Sequence, residues 1–129
     1  FVNLDKYVPE LIELSRDNSV PKYATHLVYL TSANNIGDIE ASVVKSIFEN
    51  HPKRADIYWL IHVDVVDEPY RMEYKVNIIL PRDLIRIDFR LGFRVPPRIN
   101  LLFKKVVKDL LASQEVDFTS RYESMEKQN

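Results

Sequence analysis

At 129 residues, 46% of them hydrophobic and 11% aromatic, the chain is long enough to close one hydrophobic core. Eighteen basic against nineteen acidic residues leave a formal charge of -1, which excludes a bulk attraction to nucleic acid or to an anionic membrane. The absence of cysteine excludes disulfides, thiolate chemistry and cysteine-ligated metals, and no apolar run approaches the roughly 20 residues that a spanning helix needs.

The sequence opens at Phe1 with neither an initiator methionine nor a signal-peptide pattern, so a piece of a longer protein is expected. Leu4, Tyr7, Val8, Leu11 and Ile12 keep helical spacing up to a stop at Pro21, which predicts a short lead-in helix and linker over residues 1–19. The main domain is expected over residues 20–113. Its first strand, HLVYLT (26–31), is apolar without alternation, as in a central strand of a parallel sheet.

After the loop TSANNIGD, Asp38 is placed to cap a helix whose stripe is Ile39, Val43, Ile47 and Phe48, with Glu40 in the positive first turn. DIYWLIHVDVV (56–66) follows as a second strand, completing a βαβ unit. EYKVNIIL (73–80) and LIRIDFRLGF (84–93) then alternate apolar and polar residues about a turn at 81–83, which predicts a hairpin with one wet face. The last clear helix carries Ile99, Leu102, Phe103, Val106, Leu110 and Leu111 on one stripe, Pro97 near its first turn, and Lys104, Lys105 and Lys108 off it. From Gln114 the tail is polar, and its SRYE (120–123) matches a capping box. The fold class is therefore α/β leaning to α+β: a βαβ start, an antiparallel hairpin and a C-terminal helix around one mixed sheet.

Two groups of residues could bind an anion or nucleotide. Thr31, Ser32, Asn34, Asn35 and Gly37 follow the first strand and precede a helix start, where doubly wound sheets place ligands. A single glycine and no GxGxxG or GxxxxGK make a capped turn the simpler reading. Arg82, Arg86, Arg90, Arg94 and Arg98 recur every four residues, which sets Arg86 and Arg90 on one strand face, pointing together toward solvent. A phosphate or acidic partner could sit there, but Asp88 lies between them and a solvated mixed-charge face explains the pattern as well. His26, His62 and Asp64 lack any metal or acid-base spacing, and histidines hydrogen-bonded at strand ends account for them. No catalytic residues, metal ligands or cofactor are expected.

The order LTSANNIGD, then ENHPKRADIYWLIHVDVVDEP, then RIDFRLGFRVPPRINLLFKK resembles the cytosolic C-terminal domain of the KUP family of potassium uptake transporters, over roughly residues 20–111. The sharper points are Leu30-Thr31-Ser32, Asp67-Glu68-Pro69, and Gly92-Phe93 before a proline-containing start of the last helix. One departure is Leu91, where members commonly carry tyrosine. The resemblance implies that the domain follows a membrane part absent from this chain, at the cytoplasmic face of a bacterial plasma membrane. It implies further strand beyond the polar stretch at 114–129, and potassium import by proton symport through a pore lying elsewhere. The work left to the domain is dimerisation and regulation, with cyclic di-AMP, which inhibits some relatives, as a possible cyclic dinucleotide ligand. The alternatives are a nucleotide sensor within the same transporter and a small stand-alone enzyme.

Overall fold

The computed structural model describes residues 1–113. The predicted tail at 114–129, including the capping box at 120–123, lies outside the described residues. In chain order the elements are β1 (Val2–Asn3), a 3-10 turn (Leu4–Tyr7), α1 (Val8–Arg16), β2 (Lys22–Leu30), β3 (Asp38–Ile39), α2 (Ala41–Phe48), β4 (Arg54–Val66), β5 (Met72–Leu80), β6 (Leu84–Gly92) and α3 (Ile99–Ser113). The main sheet has the order β2-β4-β6-β5, with β2, β4 and β6 parallel and β5 antiparallel to β6. A two-stranded antiparallel ribbon joins β1 to β3, pairing Val2 with Ile39.

The mixed sheet, the βαβ start, the hairpin and the closing helix agree with the sequence. β2 is parallel to β4 as expected, yet it stands at the margin of the sheet and β4 takes the central place. The longest apolar run explains this: residues 55–62 of β4 are all buried, because helices cover both of its faces.

Alternation along the strands sends successive side chains to opposite layers. Ile57, Trp59 and Ile61 of β4, with Ile85, Ile87, Phe89 and Leu91 of β6, pack beneath Val106 and Leu110 of α3. On the other face Tyr58, Leu60 and Leu84 meet Leu11 and Leu14 of α1 and Val43 and Ile47 of α2. Each fully buried large apolar side chain stabilises such a core by about 1.5–3 kcal/mol. The segment at 1–19 belongs to this second layer through Leu4, Leu11 and Leu14.

Three local expectations are corrected. Asp38 does not cap α2: it lies in β3, Glu40 is the N-cap residue, and Ile39 is buried from the strand side. The β1 pairing captures Asp38 and Ile39 before the helix begins. The hairpin's polar face is wet only at its far end, since Leu84 and Arg86 are buried, Asp88 is half-buried and Arg90 is exposed. Leu111 is 47% exposed, so the α3 stripe narrows to Val106 and Leu110 at its base, flanked by half-buried Ile99, Leu102, Phe103 and Val107.

Candidate functional site

β2 ends at Leu30, which pairs with Ile61, while β4 continues to Val66. That leaves a step at the C-terminal end of the sheet, and residues 31–37 fold into it. The Thr31 amide donates to the Ile61 carbonyl at 2.8 Å, and the Thr31 hydroxyl accepts from the Ala33 amide at 3.1 Å, closing a tight turn. Asn35 accepts from the Asp38 amide at 3.1 Å and Gly37 accepts from the Leu4 amide at 2.8 Å, tying the loop to β3 and to the N-terminal turn.

The loop holds a carboxylate of the protein's own, although that carboxylate makes no hydrogen bond to the first-turn amides of α2. The Glu40 carboxylate accepts the Thr31 hydroxyl at 2.5 Å and the Ser32 amide at 3.2 Å. Burial pushes the Glu40 carboxyl up, but the hydrogen bonds from Thr31 and Ser32 and from its own backbone amide hold it below its ordinary value. Gly37 makes no close approach to anything: a Cβ there would meet nothing within 4 Å. Nothing in the fold itself therefore requires glycine at this position.

Arg86 is brought to this loop from β6. It is on the strand face that spacing assigned, but it does not point to solvent: its exposure is 0%, because residues 31–37 fold over it. Its Nη2 donates to the Ala33 carbonyl at 2.6 Å and its Nη1 to the Asn35 carbonyl at 3.1 Å. Nε and Nη2 also donate to Asp88 at 2.9–3.2 Å, so the guanidinium is held by a carboxylate and two carbonyls. Arg90, two rungs further along, emerges beyond the loop beside Glu73 at 4.0 Å. The structure thus unites Thr31, Ser32, Asn35 and Arg86 in one closed network and leaves Arg90 apart from it. Asn34 is exposed on the loop's outer side.

His26 and His62 are each hydrogen-bonded within the fold. Buried His62 joins the Thr31 carbonyl at 3.0 Å to Asp64 at 3.1 Å, linking the end of β2 to the overhang of β4. His26 Nδ1 accepts from the Trp59 indole at 3.1 Å, and burial lowers its pKa, with Asp56 opposing and Lys22 assisting. Among the described residues no group of three or more His, Cys, Asp or Glu side chains could hold a metal ion. Buried Asp83 and Asp56 face Arg16 at 3.5 Å and Lys22 at 2.9 Å. A groove of about 230 Å³ between α1 and α2 is lined by Tyr7, Val44 and Phe48 together with Glu10, Lys45 and Glu49. Two carboxylates around one ammonium do not suit a phosphate.

Sequence reasoning missed Glu40 as the anion of the loop and Asp88 as the partner of Arg86. The i, i+2 spacing of Arg86 and Asp88 on one strand was a usable signal. Nothing in the local sequence announced the Thr31 to Glu40 contact, since it depends on how the loop closes. Gly92 explains two of the resembling strings at once. A Cβ on it would lie 2.2 Å from the Glu68 carbonyl oxygen and 2.4 Å from that of Pro69, so Asp67-Glu68-Pro69 and Gly92-Phe93 meet where the β4–β5 loop crosses the end of β6. The Gly92 amide donates to the Arg71 carbonyl at 2.7 Å and the Arg94 amide to that of Pro69 at 2.9 Å.

Comparison with known proteins follows the same lines. Residues 24–127 match the family described as K+ potassium transporter C-terminal domain. The chain is 60% identical over its whole length to a "Probable potassium transport system protein Kup" of Cytophaga hutchinsonii, of which it covers 20%. It is 57% identical over 99% of its length to a protein of the same name from Flavobacterium psychrophilum, again covering 20%. A third relative so named, from Clostridium perfringens, is 38% identical over 94% of the chain, which covers 18% of that protein. The chain thus spans about a fifth of the length of these curated relatives. No solved structure matches it.

Proposed function

The chain belongs to the family of K+ potassium transporter C-terminal domains, and from that premise we propose that it is the appendage through which a bacterial potassium uptake transporter is assembled and controlled. In this reading potassium enters by proton symport through a membrane part outside the chain, while the domain sits at the cytoplasmic face and joins two copies of the transporter. One observation carries it: the whole chain matches only a fifth of each transporter, and no helix among the described residues is long and apolar enough to cross a membrane. The buried polar groups support it, because Arg86, His62, Asp83 and Asp56 hold the fold together and none is presented to an ion.

The test is the mass of the purified full-length transporter with and without this domain. The domain-bearing protein is expected as a dimer and the shortened one as a monomer; identical masses together with identical uptake rates would contradict the proposal.

Nucleotide sensing is the less supported reading. Arg86 already has protein acceptors at Nε, Nη1 and Nη2, and the Glu40 carboxylate already engages the Thr31 hydroxyl and the Ser32 amide. Calorimetric titration of the domain with cyclic di-AMP is therefore expected to be silent. Saturable heat that disappears in Arg90→Ala would reverse the order of the two readings.

A further inference from the structure

Six of the ten exposed large apolar side chains among the described residues lie at one end of the molecule. Leu30 closes β2, Val65 lies near the end of β4, and Phe93 follows β6. Ile36 is on the β2–β3 loop, Tyr70 on the β4–β5 loop, and Phe1 precedes the strand that pairs with β3. Because β2, β4 and β6 are parallel, their C-terminal ends point the same way, although β2 stops level with Ile87, five residues or roughly 16 Å short of Gly92. Side chains as exposed as Tyr70 (72%), Val65 (70%) and Phe93 (59%), gathered on one side, mark an interaction surface rather than scattered surface hydrophobics.

Two further observations decide what meets it. Charge on these loops nearly cancels: residues 64–71 and 90–98 hold Asp64, Asp67 and Glu68 against Arg71, Arg90, Arg94 and Arg98, and Arg71 is paired with Glu68 at 3.2 Å and Glu73 at 3.0 Å. An anionic lipid surface recruits clustered cations, so a protein surface of mixed polarity fits better. The chain's first residues also lie at this end, since Val2 and Asn3 are hydrogen-bonded to Ile39 and Asp38. The family is a C-terminal domain and the relatives are about five times longer than the chain, so the rest of the protein leads in here.

We infer that this strand-end surface docks against the membrane-embedded part of the same polypeptide, with Tyr70 and Phe93 as its anchors. This rests on the transporter-appendage reading above. Both anchors stand on the β4–β5 and β6–α3 loops that Gly92 locks together through the carbonyls of Glu68 and Pro69. A movement of either loop is therefore shared by the other, and the central strands β4 and β6 connect the docking surface to the core.

The test places a photoreactive phenylalanine analogue at position 70 or 93 of the full-length transporter in its membrane, with Leu111 near the far end of α3 and Tyr23 near the start of β2 as exposed controls. Cross-links from positions 70 and 93 to the membrane-embedded part of the same chain, several-fold above those from 111 and 23, are the expected result. Phe93→Asp should lower potassium uptake several-fold while leaving the unfolding midpoint of the domain unchanged. Equal yields at all four positions, or cross-links only to lipid or to a second copy, overturn the inference. If those outcomes occur while removal of the domain still changes assembly or uptake, the docking surface is wrong and the appendage reading survives. If removal changes nothing, both fall.

Discussion

Arg86 shows how far spacing alone reaches. The period of two along a strand put it on the correct face of β6, but whether that face is wet depends on a loop contributed by residues fifty positions earlier. Its burial with Asp88 and two carbonyls makes it a residue of stability. Arg86→Met should cost about 3–5 kcal/mol in urea unfolding, because Asp88 and the carbonyls of Ala33 and Asn35 lose their partner. Arg86→Lys should recover little of this, since an ammonium cannot reproduce the planar fork; a loss under about 1 kcal/mol for either change would contradict the role, being that of a surface pair. Gly92 is a second case. Gly92→Ala drives a methyl into the carbonyls of Glu68 and Pro69, and about 1–3 kcal/mol is expected in the same assay.

Acid should weaken the fold through His26 and Glu40. Burial lowers the His26 pKa, so between the ordinary histidine value and the folded one the unfolded chain binds more protons, and stability falls as pH drops through that window. Protonation also removes the Nδ1 lone pair that accepts the Trp59 indole. The Glu40 contribution is present above the ordinary carboxylate value and is lost as pH falls through its lowered folded value. His26→Asn should flatten the stability profile below about pH 6.5 and leave the more acidic Glu40 step in place. An unchanged slope across that window would count against the His26 part.

At the scale of elements, periodicity was informative wherever one face was dry. The α3 stripe was readable because 3.6-residue spacing gathers Val106 and Leu110, but its width was not, since a helix over a twisted sheet touches it along a narrower line than its apolar residues mark out. The difference is measurable. Leu110→Ala should destabilise by about 2–5 kcal/mol, whereas Leu111→Ala, 47% exposed, should change stability by no more than about 0.5 kcal/mol. Similar losses at both positions would mean that α3 is rotated from the packing described. The start of α2 was misplaced for a different reason. Asp38 has the chemistry of an N-cap, but pairing of β1 with β3 captured it, and Glu40 stands at the helix start instead. A capping rule sees local sequence and cannot see a strand arriving from residue 2.

For the whole molecule, the parallel start and the hairpin were legible, whereas their union in one sheet was not. β6 inserts between β4 and β5, and this brings Asp67-Glu68-Pro69 against Gly92, so strings weak in isolation form one packed junction. The loop after β2 had the position of an anion site without the glycines of one, and in the structure its hydroxyl and amide hold Glu40. What distinguishes the domain is its apolar strand end and its membership of a family of potassium transporter C-terminal domains.

The most direct measurement is the potassium dependence of uptake by the full-length transporter and by the same protein cut ahead of Phe1, in cells lacking other potassium uptake systems. The half-saturating potassium concentration and the preference for potassium over sodium should be unchanged, while the maximal rate or its control shifts. A many-fold rise in the half-saturating concentration, or loss of the preference for potassium, would place this domain in the ion path and contradict the account.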